Sequence, residues 1–473
     1  MFTRASLAVV VLLLTGCPGG GGGSGSGGGS GATGGGSGGS SGGGRGGGMA
    51  AFDGGYTRYL PASHNAFGHR ALSIAGKILV GGEGLQLDGG TNVDFFAARF
   101  NKTGAGVTLD PSYGDTQGMS FTDFDGGMIT IFNRNFDTAF DLQPADNGFH
   151  LVGTAEGLFD HTKSNAAIAT VDGNGHLITS VGTGGKTVLR VSNAGTDFET
   201  FWMSATPAAV DGRFYVSGFI FNGGGRGEDI VVARYNANLS LDVTFTGGSG
   251  AGVITDHGSD GERGNFVFDR AGGGVITGGG DRFTVAAYDQ AGNPDTTFAT
   301  AGLYQSPGRL FSAAQASNGD LVLAGGRTES STDGGSDTTS LKVVRLTSAG
   351  APVATFGTAG VMEVVLPNDP LAQVRGAAFQ GDDLILYVVV NIAQGGLIRI
   401  KPNGTVDHTL AGADPAGVRP IAVRLPLFSS ISIDAAHHLT VDGNEAIITD
   451  SNLVKVDAAG NLDNIFALIR EPL

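Results

Sequence analysis

The chain repeats one pattern, in which an apolar strand ends at a turn and is followed by a short signature of Asp and an aromatic residue. The clearest copies lie at 231–245 and 285–298. Aligning the residue at the strand end gives Arg99, Thr170, Arg234, Ala287, Arg345, Arg399 and Lys455. Successive positions are 71, 64, 53, 58, 54 and 56 residues apart, so one unit is about 59 residues. This period predicts an array of units, each too small to bury its apolar face alone.

Each unit is predicted to contain about four short strands. In the unit at 212–255, an alternating apolar strand leads through a Gly-rich loop into a nearly continuous apolar run, 230–235. A strand that is apolar on both faces lies between two layers. No stretch of ten or more residues has a helical apolar stripe, so βαβ units are excluded and an all-β fold is expected.

Two further positions recur at fixed distances after the strand-end residue. Eight residues after it stand Asp242, Asp295, Asp407 and Asp463, and eleven residues after it stand Phe245, Phe298, Phe356, Leu410 and Phe466. Unit 1 has a longer turn, with Asp110 and Tyr113 as equivalents, whereas unit 2 has Ile178 and unit 5 has Val353 in place of the Asp.

These positions are open to a functional or a structural interpretation. The Arg and Asp residues could form one functional pair per unit, or each pair could close a hairpin. We favour hairpin closure, and we predict exposed pairs between Arg234 and Asp242 and between Arg399 and Asp407, each contributing about 0–1 kcal/mol. The aromatic residue is predicted to fill the core between units.

These motifs, together with the strands at 76–81 and 319–325, resemble the delta-60 repeat of bacterial surface and secreted proteins. The resemblance covers nearly all of 60–470 and implies a β-propeller, for which the family supplies no catalytic residues. Propellers hold four to eight blades. We therefore expect 49–473 to form one closed propeller of four-stranded antiparallel blades, with seven blades as the first choice and six as the alternative. Closure predicts that residues 56–60 lie beside the C-terminal strand.

The N-terminal region is predicted to be a lipid anchor and a tether. Residues 1–16 contain one positive charge and a short apolar stretch, which is typical of a secretory signal. Their end, followed by Cys17, resembles the lipobox of bacterial lipoproteins, so Cys17 is expected to be acylated. Residues 18–48 contain 21 glycines and are expected to be a flexible tether. By resemblance to the sorting of enterobacterial lipoproteins, Pro18 implies the outer membrane, so the expected location is the cell envelope.

The charge balance limits the possible partners. The chain has 28 basic and 44 acidic residues, a net charge of −16, which disfavours nucleic acid and anionic membrane as ligands. We expect a monomer that needs no cofactor.

The sequence offers few residues with the spacing of a catalytic or metal site. The nine histidines form no metal-binding motif, Cys17 is the only cysteine, and we expect the histidines at the surface or in turns. The Asp-Gly loops at 123–127 and 333–337 lack the ligand spacing of calcium loops. Trp202 is expected in the core. We therefore predict no catalytic, cofactor or metal-binding residues.

Two classes of function remain. Loops at 84–93, 155–165, 222–228 and 328–340 join the second and third strand of their units and would emerge on one face. The favoured hypothesis is a lipid-anchored binding or scaffold module for a protein or glycan. The alternative is a dehydrogenase- or lyase-like propeller enzyme with its site at the channel mouth, which requires converging His, Arg and carboxylate groups.

Overall fold

A computed structural model describes residues 58–60, 64–86, 93–103, 106–124, 137–156, 164–193, 196–208, 212–222, 227–245, 253–255, 261–270, 272–329, 338–365, 373–391, 394–414, 417–422, 438–443, 445–449, 452–461 and 466–468. These residues form 31 strands and no helix. No helix that could cross a membrane is therefore present in this part of the chain.

The strands follow the sequence units, with two additional short strands, of which the first, β1 (Arg58–Tyr59), precedes unit 1. Unit 1 forms β2 (His64–Ile74), β3 (Lys77–Gln86), β4 (Val93–Thr103), β5 (Gly106–Leu109) and β6 (Met119–Thr122). Unit 2 forms β7 (Thr138–Ala145), β8 (Gly148–Glu156), β9 (Ser164–Asp172) and β10 (Lys186–Leu189). The short strand β11 (Val191–Asn193) precedes unit 3, which forms β12 (Thr196–Pro207), β13 (Phe214–Asn222), β14 (Gly227–Tyr235) and β15 (Val253–Thr255).

The remaining units have four strands each. Unit 4 forms β16 (Glu262–Asp269), β17 (Val275–Gly280), β18 (Phe283–Tyr288) and β19 (Leu303–Ser306). Unit 5 forms β20 (Arg309–Gln315), β21 (Leu321–Glu329), β22 (Thr338–Leu346) and β23 (Val361–Val365). Unit 6 forms β24 (Gln373–Gln380), β25 (Asp383–Asn391), β26 (Gln394–Ile400) and β27 (Val418–Ala422). Unit 7 forms β28 (Leu439–Asp442), β29 (Glu445–Thr449), β30 (Asn452–Val456) and β31 (Phe466–Ala467).

Within a unit, consecutive strands pair in antiparallel order. Among the described residues they form six hydrogen-bonded sheets, because one residue pair, Gly280 with Leu310, joins units 4 and 5 into an eight-stranded sheet. Unit 1 places both β5 and β6 against β4. The sequence prediction of an all-β, antiparallel fold is confirmed for this part of the chain.

The buried core lies between units rather than within them. The third strand of unit 3, β14, is buried from Ile230 to Tyr235, as its unbroken apolar sequence predicts. Each large apolar cluster combines neighbouring units: Leu79 of unit 1 packs with Leu142 of unit 2, and Ile447 of unit 7 packs with Val80 of unit 1. The order of contacts along the chain is therefore circular.

The recurring aromatic position lies in this core. Tyr113, Phe245, Phe298, Phe356 and Leu410 are at most 5 % exposed. Each of these five side chains belongs to a cluster that joins neighbouring units, which confirms the prediction for them. Burying one such side chain contributes about 1.5–3 kcal/mol.

The two ends of the described chain meet in one sheet. Arg58 pairs with Phe466 and Tyr59 with Ala467 in the parallel direction. The backbone N–H of Ala66 donates to the carbonyl of Leu468 at 3.0 Å. The predicted position of residues 56–60 beside the C-terminal strand is confirmed for the described residues, and this parallel pair is an exception to the antiparallel order.

Neighbouring units are also joined by a backbone hydrogen bond that repeats. The N–H donor lies twelve residues after the strand-end position of its own unit, or fifteen in unit 1. The carbonyl acceptor lies four residues after the strand-end position of the next unit. The pairs are Gly114 with Asn174 at 2.6 Å, Gly182 with Asn238 at 2.9 Å, Ala299 with Ala349 at 2.8 Å, Gly357 with Asn403 at 2.8 Å, and Ala411 with Ala459 at 2.7 Å. These bonds fix each unit against the next one.

The first strand of five units contains a β-bulge, a local irregularity that re-aims a side chain. The residues that lie in the bulge are His69, Phe140, Met203, Phe311 and Arg375. In four of these units a glycine on the second strand pairs with the residue just before the bulge: Gly82, Gly153, Gly218 and Gly325. A Cβ on any of them would lie 1.7–1.9 Å from a carbonyl oxygen of the first strand. The recurring glycine is therefore required by close backbone approach.

Candidate functional site

Several residues singled out in the sequence lie outside the described residues. Cys17 and the Gly-rich segment belong to this group, as do the central parts of the four insert loops, 87–92, 157–163, 223–226 and 330–337. The loops nevertheless leave their strands at matching ends. We name these ends the loop face, and the opposite ends, where the strand-end residues lie, the turn face.

On the turn face, the predicted ion pairs are present. Arg234 Nε lies 2.8 Å from Asp242 Oδ2, and Arg399 Nε lies 3.2 Å from Asp407 Oδ2. Burial opposes ionisation of Asp242, but hydrogen bonds from Thr244, Arg213 and Arg234 hold the pKa of this carboxyl well below its usual value.

The expectation that these pairs are exposed was wrong. Both side chains of the Arg234–Asp242 pair are 7 % exposed, because the next unit packs over the turn. Arg234 Nη1 donates to the Gln290 carbonyl at 2.9 Å, and Arg399 Nη1 donates to the Ala458 carbonyl at 2.7 Å. Both acceptors lie three residues after the strand-end position of the next unit. Each arginine thus closes its own hairpin and also binds the neighbouring unit.

Where the repeat loses one partner, another residue replaces it. Unit 5 lacks the turn Asp. Arg345 instead pairs with Asp320, which directly precedes the neighbouring strand β21, and its Nη2 lies 3.0 Å from Asp320 Oδ2. Unit 4 lacks the Arg, and Arg270 from the preceding hairpin pairs with Asp295. Unit 2 lacks both charges, and Thr170 instead bonds His150 Nδ1 at 2.9 Å. Charge is balanced within units 4 and 5, as a structural role requires.

The histidines do not all lie at the surface, as the sequence had suggested. His176 is half exposed, 3.2 Å from Asp115, and fits that expectation. His150 is buried and stacks on Phe214 with ring centroids 4.2 Å apart, and burial lowers its pKa to about 4. His438 is buried, and its Nδ1 bonds the Thr449 carbonyl at 2.5 Å. His150 therefore remains neutral at pH 7.

The bulges of units 1 and 2 bring side chains from different units together near the start of unit 7. The ring centroid of His69 lies 5.5 Å from that of Phe140 and 5.3 Å from that of His438. Directly after these bulges, Arg70 Nε lies 3.7 Å from Oδ1 of the fully buried Asp141. One histidine pair and one arginine–carboxylate pair thus lie next to the same two bulges, and these are the residue types that the sequence analysis had required for an enzyme.

A group of carboxylates lies at the loop face between units 1 and 2. One oxygen each of Asp94, Asp123 and Asp137 lies within 4.8 Å of the others. Asp137 also accepts backbone N–H bonds from Phe124 and Glu156 at 3.0 and 3.2 Å. Calcium takes six to eight oxygen ligands. These three carboxylates alone do not compose such a site, and the expectation of no metal site stays a prediction.

An aromatic group lies at the loop face of unit 3. Phe201 and Phe219 form a cross-strand pair, stacked with centroids 4.6 Å apart, and Phe221 is the next residue on the same side of β13. Phe221 is 43 % exposed and lies between Glu199 and Glu228 in the strand register. Arg263 Cζ lies 5.0 Å above the Phe219 ring, and its guanidinium bonds both Glu228 oxygens. We name Phe201, Phe219, Phe221, Glu228 and Arg263 the aromatic platform.

The sequence analysis identified none of these three groups. The bulge residues differ in type between units, and Asp94, Asp123 and Asp137 come from three separate segments. Phe221 had one available signal, because it is the last aromatic residue before the insert loop at 222–228. Trp202, in contrast, is fully buried in the core, as predicted.

The comparisons with known proteins concern the fold. Residues 211–245 match a family described as a domain of unknown function (DUF5122) β-propeller. No curated protein matches the sequence.

Three of the solved structures that are similar to this chain illustrate the likeness. Puromycin hydrolase has a TM-score of 0.42 at 12 % identity over 87 % of this chain and 55 % of its own, so the chain spans about half of that protein. AztD of Citrobacter koseri has a TM-score of 0.34 at 11 % identity, over 84 % of this chain and 88 % of its own. An endo-arabinase from Bacteroides thetaiotaomicron has a TM-score of 0.30 at 8 % identity, over 77 % of this chain and 95 % of its own. At these identities the likeness concerns the fold alone.

Proposed function

We propose that the protein is a seven-bladed β-propeller that binds a protein or glycan ligand through its loop face, tethered to the cell envelope by a lipid on Cys17. Seven sequence units, each packed against the next in circular order, support this blade count. The match of unit 3 to a β-propeller family supports the architecture.

The observation that carries the binding role is the aromatic platform. Most large apolar side chains of the described residues are buried, whereas Phe221 is 43 % exposed at the edge of an insert loop. An exposed aromatic ring next to fixed polar groups is a common element of ligand sites. The recurring charges of the turn face, in contrast, are engaged in closing hairpins.

Replacing Phe221 with alanine is expected to weaken ligand binding at least tenfold, which corresponds to about 1.4 kcal/mol. The labelled protein would be applied to glycan and peptide arrays, and the affinity for each probe that binds would be measured for both variants. Val243→Ala is the matched control, because Val243 is 71 % exposed on the turn face. Equal binding by Phe221→Ala and the parent protein would refute the platform, and binding to no probe would refute the binding role.

Replacing Cys17 with serine is expected to move the protein from the membrane fraction to a soluble fraction. The reason is chemical: the serine side chain cannot receive the thioether-linked lipid, and no hydrophobic stretch of spanning length is seen in this sequence. Fractionation followed by immunoblotting measures the change. Full retention of this variant in the membrane fraction would contradict lipid anchoring.

One observation favours a second candidate, a propeller enzyme. His69 contacts His438, and Arg70 at the next position contacts Asp141. Such groups serve as general acids and bases when they reach a substrate. Turnover of any member of a sugar and alcohol panel, lost in His69→Gln and retained in Phe221→Ala, would select this candidate over the binding module.

A further inference from the structure

A cavity lies on the turn face between units 3 and 4. It has a volume of about 340 Å³ and is lined by Arg213, Tyr215, Arg234, Thr244, Asp269 and Gln290 among others. A second, shallower cavity of about 500 Å³, which shares Gly273, Gln290 and Ala291 with the first, continues it towards Arg270 and Thr297. Together they form a groove, which we name the junction groove.

The hairpin between β16 and β17 explains the open space. It contains three consecutive glycines, Gly272, Gly273 and Gly274, all with positive φ. A Cβ on Gly273 would lie 2.0 Å from Nε2 of Gln290, whose side chain bonds the Gly272 carbonyl at 3.0 Å. No side chain from these glycines enters the junction, whereas the corresponding hairpin of unit 2 places the Asp146 carboxylate next to Gly212 of unit 3.

The arginines around the junction groove are paired with carboxylates of the protein. Arg213 and Arg234 share Asp242, at 3.0 and 2.8 Å. Arg270 pairs with Asp295, and Asp289 accepts the backbone N–H groups of Ala291 and Asn293 at 2.9 and 2.8 Å. A charged ligand would have to separate these pairs, and separating buried pairs is costly. The groove therefore favours an uncharged ligand.

The same residues present hydrogen-bonding groups of both kinds. The Arg213 and Arg270 guanidinium groups have several N–H donors each, and the Tyr215 hydroxyl, the Thr297 hydroxyl and the Gln290 side-chain oxygen can accept. The methyl groups of Ala208 and Ala291 and the Tyr215 ring provide apolar contact. Adjacent donors and acceptors beside an apolar surface match the vicinal hydroxyls and C–H face of a sugar.

We propose that the junction groove binds a neutral saccharide of one or two rings. Its volume lies within the range of about 300–1,000 Å³ that small-molecule sites occupy. This site is separate from the proposed function, because it lies at the opposite strand ends from Phe221 and does not depend on ligand binding at the loop face.

The test uses the full chain with glucose, galactose, N-acetylglucosamine and maltose as probes, in saturation-transfer NMR and isothermal titration calorimetry. At least one probe is expected to bind with saturation. Ala291→Trp, which places an indole in the groove from an exposed turn, is expected to weaken that binding at least tenfold. Ala349→Trp is the matched control, because Ala349 holds the same turn position in unit 5, and it is expected to bind as the parent does.

Two outcomes would overturn the proposal: no saturable binding of any of the four sugars, or binding that Ala291→Trp leaves unchanged. Phe221→Ala keeps the two sites distinguishable. Sugar binding that Phe221→Ala removes and Ala291→Trp leaves unchanged belongs to the loop face, so it overturns the junction groove while supporting the aromatic platform. The melting temperatures of all variants confirm that each is folded.

Discussion

Replacing Gly218 with alanine is expected to lower the free energy of unfolding by more than about 3 kcal/mol. A Cβ at this position would lie 1.7 Å from the Phe201 carbonyl oxygen and 2.7 Å from its carbon. Backbone atoms cannot rotate away as a side chain can, so β12 and β13 would have to separate beside the bulge at Met203. Urea denaturation monitored by circular dichroism measures the loss.

Gly173→Ala is the matched control for this experiment. No atom lies within 4 Å of a Cβ built on Gly173, and the residue is exposed in a turn of unit 2. Its free energy of unfolding should change by less than about 0.5 kcal/mol. Equal losses in both variants would show that general chain stiffness, rather than close approach of two strands, explains the recurring glycine.

Replacing Arg234 with alanine is expected to cost about 3–5 kcal/mol, the range for breaking a buried ion pair. The variant loses the bonds to Asp242, Thr244 and the Gln290 carbonyl, at 2.8, 3.0 and 2.9 Å. Asp242 keeps Arg213 as its only charged partner, beside the bonds that it accepts from the backbone N–H and the hydroxyl of Thr244. Thermal and urea unfolding of the variant would measure the combined loss of free energy from the hairpin contact and from the contact with unit 4.

Lys401→Ala provides the control, because it removes the same charge from an exposed site. Lys401 is 48 % exposed, and its Nζ lies 3.8 Å from Asp407, so the expected loss is below about 1 kcal/mol. A double variant that combines Arg234→Ala with Asp242→Ala tests the direct interaction. Its loss of unfolding free energy should be smaller than the sum of the losses in the two single variants, because the two residues interact. Additive losses would contradict a direct Arg234–Asp242 interaction.

The parts of the fold that repeat could be predicted from the sequence. Phe245 and Phe298 occupy the same place in the core because the same turn precedes each of them, and the Arg234–Asp242 spacing follows from hairpin geometry. These are local relations within one unit, so a period and an offset are sufficient to find them.

The candidate site groups could not be predicted in this way. Arg270 replaces the missing strand-end arginine from a hairpin outside the repeat signature, and only the fold brings it to Asp295. His69 and His438 lie 369 positions apart in the chain and meet only because the order of contacts is circular. The burial of Arg234 depends on unit 4 covering the turn, so the sequence of unit 3 alone suggested an exposed pair.

The short strand β1 has a mechanical consequence. Any tension on the chain before Arg58 acts first on the pairing of β1 with β31, which consists of two residue pairs. The next element, β2, is eleven residues long and is held by the Ala66 bond to Leu468. Lys102 of β4 also joins units 1 and 7 through Asp442 and Glu445. A pull would therefore detach β1 while the contact between the first and last units persists, so that the circular order of contacts outlasts the loss of the β1–β31 pairing.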